Sequence, residues 1–207
     1  LPGHGLSGGA PLTSLGDMAD WIDGLLASLG VAQATLVGHS QGVLVALETA
    51  SRHPERVAAL TLIAGAMAIP VNDALIEMSQ SALEKAFRMM TSWGHGPGAH
   101  KFDNTQPGHA FLGYGRRVMA QNDGAALHAD LVACNSYDGG KDAAASVTQP
   151  SLCLLAGKDK MTPVKFGRKM AEQISGAQCH VFERAGHFLP AEFPIEVNEA
   201  MAAFLSR

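Results

Sequence analysis

The sequence predicts an α/β fold, a mostly parallel sheet flanked by helices, on three observations. Short apolar runs alternate with helical patterns along most of the chain. Residues 58–63 are apolar almost without interruption, as in a strand covered on both faces. Residues 34–37 run straight into Gly38-His39-Ser40-Gln41-Gly42, a G-x-S-x-G sequence where a buried strand turns sharply into a helix.

Each element has its own signal. Ser14-Leu15-Gly16-Asp17 reads as a helix start, after which Met18, Ile22, Leu25, Leu26 and Leu29 recur on one face until Gly30 stops the helix. Residues 34–37 form a strand, and a helix from about Gln41 runs to His53, ended by Pro54. Residues 152–156 and 178–182 are two more strands, with a helix between them that starts at Thr162-Pro163 and ends at Gly176. Pro194 opens the last helix, with Val197, Met201, Phe204 and Leu205 facing inward. Strands alternating with helices imply right-handed crossovers.

Residues 67–146 break the alternation. Helical patterns at 72–91, 111–122 and 125–136 stand between glycine-rich connections such as Gly94-His95-Gly96-Pro97-Gly98. The expected organisation is a core of residues 1–66 and 147–207 with a helical insertion over 67–146. Met78, Leu83, Phe87, Met90, Phe111, Leu112, Met119, Leu127 and Leu131 supply its apolar faces, most for packing and a few for an acyl pocket.

Composition narrows the function classes. A net charge of −4 over 207 residues offers no basic face for nucleic acid. The longest apolar stretch, 57–71, is broken by Thr61, Gly65 and Pro70 and falls short of a membrane span. Cys134, Cys153 and Cys179 are far apart and read as small core residues in a reducing compartment, so a cytoplasmic location is expected.

The chemistry is carried by three residues. Ser40, on a strained turn, points its hydroxyl out of the sheet, while the Gln41 amide faces developing negative charge from a helix N-terminus. Glycines at 38 and 42, either side of His39-Ser40-Gln41, are expected to relieve a clash at that turn. A serine hydroxyl needs a base and an orienting acid. His187, in Ala185-Gly186-His187-Phe188, and Asp159, in Gly157-Lys158-Asp159-Lys160, both follow strands, at the sheet edge where sites form. Asp138 and Asp142 are competing acids. The side chains of His39 and Gln41 are expected to serve turn geometry. Arg116-Arg117 could take a substrate carboxylate, although a solvated helix face is the ordinary fate of such a pair. His95, His100 and His109 match no metal-ligand spacing, so neither metal nor cofactor is expected.

The order Ser, Asp, His and the Gly38–Gly42 elbow resemble the α/β-hydrolase superfamily, in its capped branch of carboxylesterases, enol-lactone hydrolases, carbon–carbon bond hydrolases and proline iminopeptidases. Leu1-Pro2-Gly3-His4-Gly5-Leu6-Ser7 resembles the loop after that family's fourth strand, and His53-Pro54-Glu55-Arg56-Val57 its link from the nucleophile helix to the sixth strand. Glu192-Phe193-Pro194 is similar to the entry to its final helix; Val43 stands where many relatives have glycine. The resemblance implies a partial hydrolase fold with a helical cap inserted after the sixth family strand. It also implies that the chain, which begins at Leu1, is an N-terminally incomplete piece lacking the second oxyanion donor, and so a weak catalyst by itself. The implied activity is a serine hydrolase cleaving a small carboxylic ester, lactone or thioester with an apolar acyl or alcohol part, with no nucleic-acid or membrane partner. Alternatives are a carbon–carbon bond hydrolase, an acyltransferase or perhydrolase on the same triad, or a non-catalytic ligand-binding member of the fold.

Overall fold

The computed structural model describes residues 1–102 and 110–206. Its strands β1 (Ala34–His39), β2 (Val57–Ile63), β3 (Ser151–Ala156) and β4 (Gln178–Phe182) form one sheet in that order, every pair parallel. Each expected strand is present. Helix α1 (Leu15–Ser28) starts where the sequence placed it, with Ser14 Oγ accepting from the Asp17 amide at 3.0 Å. It buries Leu15, Met18 and Ala19, whereas Leu25 and Leu29 on the expected face are 37% and 66% exposed.

Side chains of the two central strands alternate between two apolar layers, as the period of a strand dictates. On one face Leu60, Leu62, Cys153 and Leu155 pack with α2 (Gln41–Arg52) through Val43 and Leu47. On the other, Ile63, Leu152, Leu154 and Ala156 meet Val197 and Phe204 of the last helix. Cys134 and Cys153 are buried as expected, but Cys179 is exposed. It lies on β4, an outer strand of the sheet whose first three residues are exposed. At the opposite edge, β1 leaves Val37 51% exposed.

After β2 come α3 (Asp73–Ser81), α4 (Leu83–Gly94), α5 (Pro97–Phe102), α6 (Phe111–Met119), α7 (Gly124–Ser136) and α8 (Gly140–Ser146). The single helical pattern at 72–91 is two helices, broken at Ala82, whose backbone leaves the helical region (φ −153°, ψ 57°). Helix α3 packs on α7 and α4 on α6, around a small core of Leu75, Ala86 and Leu131. Helix α8 instead joins the layer beneath the sheet through Ala143 and Ala144. The chain closes with α9 (Val164–Gln173), the short α10 (Leu189–Glu192) and α11 (Pro194–Leu205). Among the described residues no helix is long and apolar enough to cross a membrane.

Candidate active site

Ser40, Asp159 and His187 lie on loops leaving the C-terminal ends of β1, β3 and β4. Parallel pairing carries all three ends to one edge of the sheet, which is why residues so distant in sequence meet there. Ser40 joins β1 to α2 with φ 56°, ψ −120°, a left-handed conformation that costs a non-glycine residue about 1–3 kcal/mol. The turn is tight because Gly38 lies against Gly42: a Cβ on Gly38 would collide with the Gly42 carbonyl and sit 2.8 Å from the Val43 amide nitrogen. The expected clash at Gly42 is absent, since a Cβ there meets nothing within 4 Å; it faces the open cavity in front of Ser40. Val43 is fully buried, and Gly65 leaves the room that its side chain fills.

His187 Nε2 is 2.8 Å from Ser40 Oγ, and His187 Nδ1 is 2.8 Å from Asp159 Oδ2. A carboxylate only accepts, so the imidazole proton sits on Nδ1 and Nε2 is left to accept the serine proton. The Asp159 and His187 side chains are 0% and 3% exposed. Asp159 is further held by the amides of Met161 and Thr162, both 2.8 Å from Oδ1. Burial pushes its carboxyl up, but the His187 bond and charge and the Thr162 N–H and O–H outweigh it and keep the group below its ordinary value. Asp138 and Asp142, the rival acids, are exposed.

Thr162 was legible in sequence only as a helix start. Its Oγ1 lies 2.8 Å from both Asp159 Oδ2 and the Ala64 carbonyl, and 3.2 Å from His187 Nδ1. With one proton it can donate to only one of these. Asp-x-x-Thr is a local turn pattern that could have flagged it.

His39 supports the histidine loop. Its Nε2–H donates to the His187 carbonyl at 2.7 Å, and burial together with the His187 charge pushes it down to about 4, so it is neutral near pH 7. Gln41 Nε2 donates to Asp130 of α7 at 3.3 Å, and Asp130 Oδ2 also holds His4 Nε2 at 2.9 Å. This contact joins the N-terminal loop, the elbow and the helices after β2, and sequence reasoning did not find it.

A cavity of about 420 Å³ opens in front of Ser40. Of the apolar residues expected on the inserted helices, Phe87, Met90, Met119, Leu127 and Leu131 line it, while Met78, Leu83, Phe111 and Leu112 do not. Cys134 also lines it, but burial, with the nearby Asp130 charge, pushes that thiol up to about 12, leaving it un-ionised beside the serine. Arg116 and Arg117 are exposed and off the cavity wall; Lys160 is the lysine or arginine that lines it among the described residues. His95 is buried, its Nδ1 2.8 Å from the Thr91 carbonyl and its ring on Phe188, and His100 Nε2 is 2.9 Å from the Ser92 carbonyl. His109 lies outside the described residues.

A serine on a strained strand-to-helix turn at the C-terminal edge of a parallel sheet, facing a largely apolar cavity, points to a class, and the comparisons agree with it. Residues 1–200 match the alpha/beta hydrolase family. The chain belongs to that family and is a hydrolase. It is 29% identical to the pimeloyl-[acyl-carrier protein] methyl ester esterase of Neisseria meningitidis serogroup B, over 90% of this chain and 73% of the esterase. It is 27% identical to the 2-hydroxy-6-oxononadienedioate/2-hydroxy-6-oxononatrienedioate hydrolase of Burkholderia vietnamiensis, over 89% of this chain and 66% of that hydrolase. The enol-lactonase from Burkholderia xenovorans superposes with a TM-score of 0.89 over 99% of this chain and 78% of its own, at 20% identity, which speaks to fold.

Proposed function

We propose that the protein is a serine hydrolase acting on a small carboxylic ester, lactone or thioester through Ser40, His187 and Asp159. One observation carries this reading: an unbroken chain of 2.8 Å contacts from Ser40 Oγ through the imidazole to a buried carboxylate, in a cavity of substrate size. Ser40 Oγ attacks the acyl carbonyl and His187 Nε2 takes its proton. The Gln41 amide at the start of α2 stabilises the oxyanion. The tetrahedral adduct expels the alcohol or thiol, which leaves with the proton from His187, and the acyl group stays on Ser40. Water, deprotonated by His187, then releases the acid.

The inserted helices after β2 act as the cap: they present Phe87, Met90 and Leu131 toward Ser40 and select an apolar acyl or alcohol part. Cleavage of a carbon–carbon bond in a dicarboxylate is less well supported, because Arg116 and Arg117 are off the cavity wall. The test is a panel of p-nitrophenyl esters, thioesters and lactones, with and without competing alcohol or peroxide acceptors. Hydrolysis favouring short to medium apolar acyl groups is expected. Turnover of a vinylogous keto acid without any of the esters would reverse the reading.

A further inference from the structure

The loop that carries His187 is held from the helices after β2 as well as from the sheet. The Phe188 amide donates to the Gly94 carbonyl at the end of α4, 3.1 Å away. The Phe188 ring fills the place a Cβ on Gly94 would need, and it stacks on His95 with centroids 4.7 Å apart. Glu192, in the single turn of α10, completes the connection. Its Oε1 accepts from the amide of Gly186, the residue before His187, at 3.1 Å. Its Oε2 accepts from the amide of Gly96, just past α4, at 3.0 Å. A Cβ on Gly186 would run into the backbone of residues 94–96, and one on Gly96 would lie 2.7 Å from both the Gly186 nitrogen and Glu192 Oε2. Two backbones thus approach too closely for side chains of their own, and one carboxylate bridges their amides.

We propose that Glu192 is a positioning residue whose carboxylate couples helix α4 to the His187 loop and so fixes the imidazole relative to Ser40. The inference rests on the Ser40–His187–Asp159 reading above. Helix α4 brings Phe87, Met90 and Trp93 to the cavity wall, so the clamp ties the wall that meets substrate to the base that moves its proton. A carboxylate suits the task because both oxygens only accept; glutamine offers one acceptor, and its NH₂ would face an amide donor. The groups facing Glu192 are His100 of α5 and Asp159, with Lys101, Lys158 and Arg184 around an adjoining cavity of about 450 Å³. Burial pushes the Glu192 carboxyl above its ordinary value, against the two amides and His100, which favour the charged form. Acidification therefore loosens the clamp: protonation removes the charge that strengthens both hydrogen bonds and turns one oxygen's O–H toward an amide that is itself a donor.

Two measurements test this. In Glu192→Gln, kcat on p-nitrophenyl butyrate should fall about 10- to 100-fold with KM within about twofold, and fluorophosphonate labelling of Ser40 should slow by the same factor, because one charge-assisted hydrogen bond is lost. In the wild-type protein, the amide resonances of Gly96 and Gly186 should shift together on acid titration, with one midpoint above the ordinary carboxylate value. A folded Glu192→Gln with wild-type kcat, or glycine amides that titrate apart or not at all, overturns the coupling. If the variant does not fold, the titration alone decides. Wild-type protein that fails to label at Ser40 sinks the triad reading instead, and the glycine titration still judges the clamp.

Discussion

Replacing Asp159 by asparagine isolates the orienting role proposed for this acid. The carboxylate takes four contacts: the Met161 and Thr162 amides on Oδ1, and His187 Nδ1 and the Thr162 hydroxyl on Oδ2. Asparagine keeps the first two, because its carbonyl oxygen can occupy the Oδ1 place. Its NH₂ then faces the imidazole where Oδ2 stood. The Thr162 hydroxyl can still donate to the Ala64 carbonyl 2.8 Å away and accept from the new NH₂, so no buried polar group is orphaned. The imidazole cannot adapt without cost: Nδ1 must become an acceptor, which moves the proton to Nε2, the atom that has to accept from Ser40. A triad with that tautomer loses up to ~10⁴ in kcat, about 5.5 kcal/mol of barrier. The assay is p-nitrophenyl ester turnover beside thermal melting of both proteins. The reasoning requires a collapse of kcat with a melting curve close to wild type. A variant within tenfold of wild type would refute it, more so if Asp138→Asn were the damaging change.

Other consequences can be checked separately. Gly38→Ala should cost about 3 kcal/mol or more, because its Cβ lands on the Gly42 carbonyl, whereas Gly42→Ala should melt like wild type; denaturant unfolding of the pair compares them. His39 is held down at about 4 from 6.5, so the unfolded chain takes up a proton that the folded one refuses. Its contribution is full above pH 6.5 and is lost as pH falls toward 4, about 3 kcal/mol over the window. Unfolding at pH 7 and pH 4 should therefore differ by about that much less in His39→Gln. Asp130→Asn weakens the partly exposed His4 pair, worth about 0.5–1 kcal/mol once solvent screening is counted, and should change KM more than kcat in ester kinetics.

Local signals made much of this molecule legible in the sequence. Ser40 announced itself through a strand, two glycines and a helix; three strands emerged from apolar runs and the fourth, 178–182, from a strand-like segment. Asp159 and His187 stood out as candidates because a loop after a strand is a short-range feature, and the structure brings both side chains to Ser40. What escaped depends on contacts between distant segments. Periodicity put Leu25 and Leu29 on a buried face, yet nothing in a helical pattern says how far its neighbour reaches, and both are exposed. Cys179 looked like a core residue because it stands inside a strand with no second cysteine near it in sequence, but the order of strands makes β4 an edge. Proline and three glycines made 94–98 read as a plain connection. The structure starts α5 at Pro97 and uses Gly94 and Gly96 to press this segment against the His187 loop. Glu192 stood out only as part of the entry to the last helix and Asp130 not at all, since the contacts of Glu192 with Gly96 and of Asp130 with Gln41 and His4 join segments far apart in sequence.

The central claim, that Ser40 is the acyl-accepting nucleophile, is tested most directly by mass spectrometry of the protein after reaction with a fluorophosphonate. The account predicts a single stoichiometric adduct on the peptide bearing Gly38-His39-Ser40-Gln41-Gly42, absent in Ser40→Ala and formed far more slowly in His187→Ala. An adduct on another residue, or one that persists in Ser40→Ala, would contradict it.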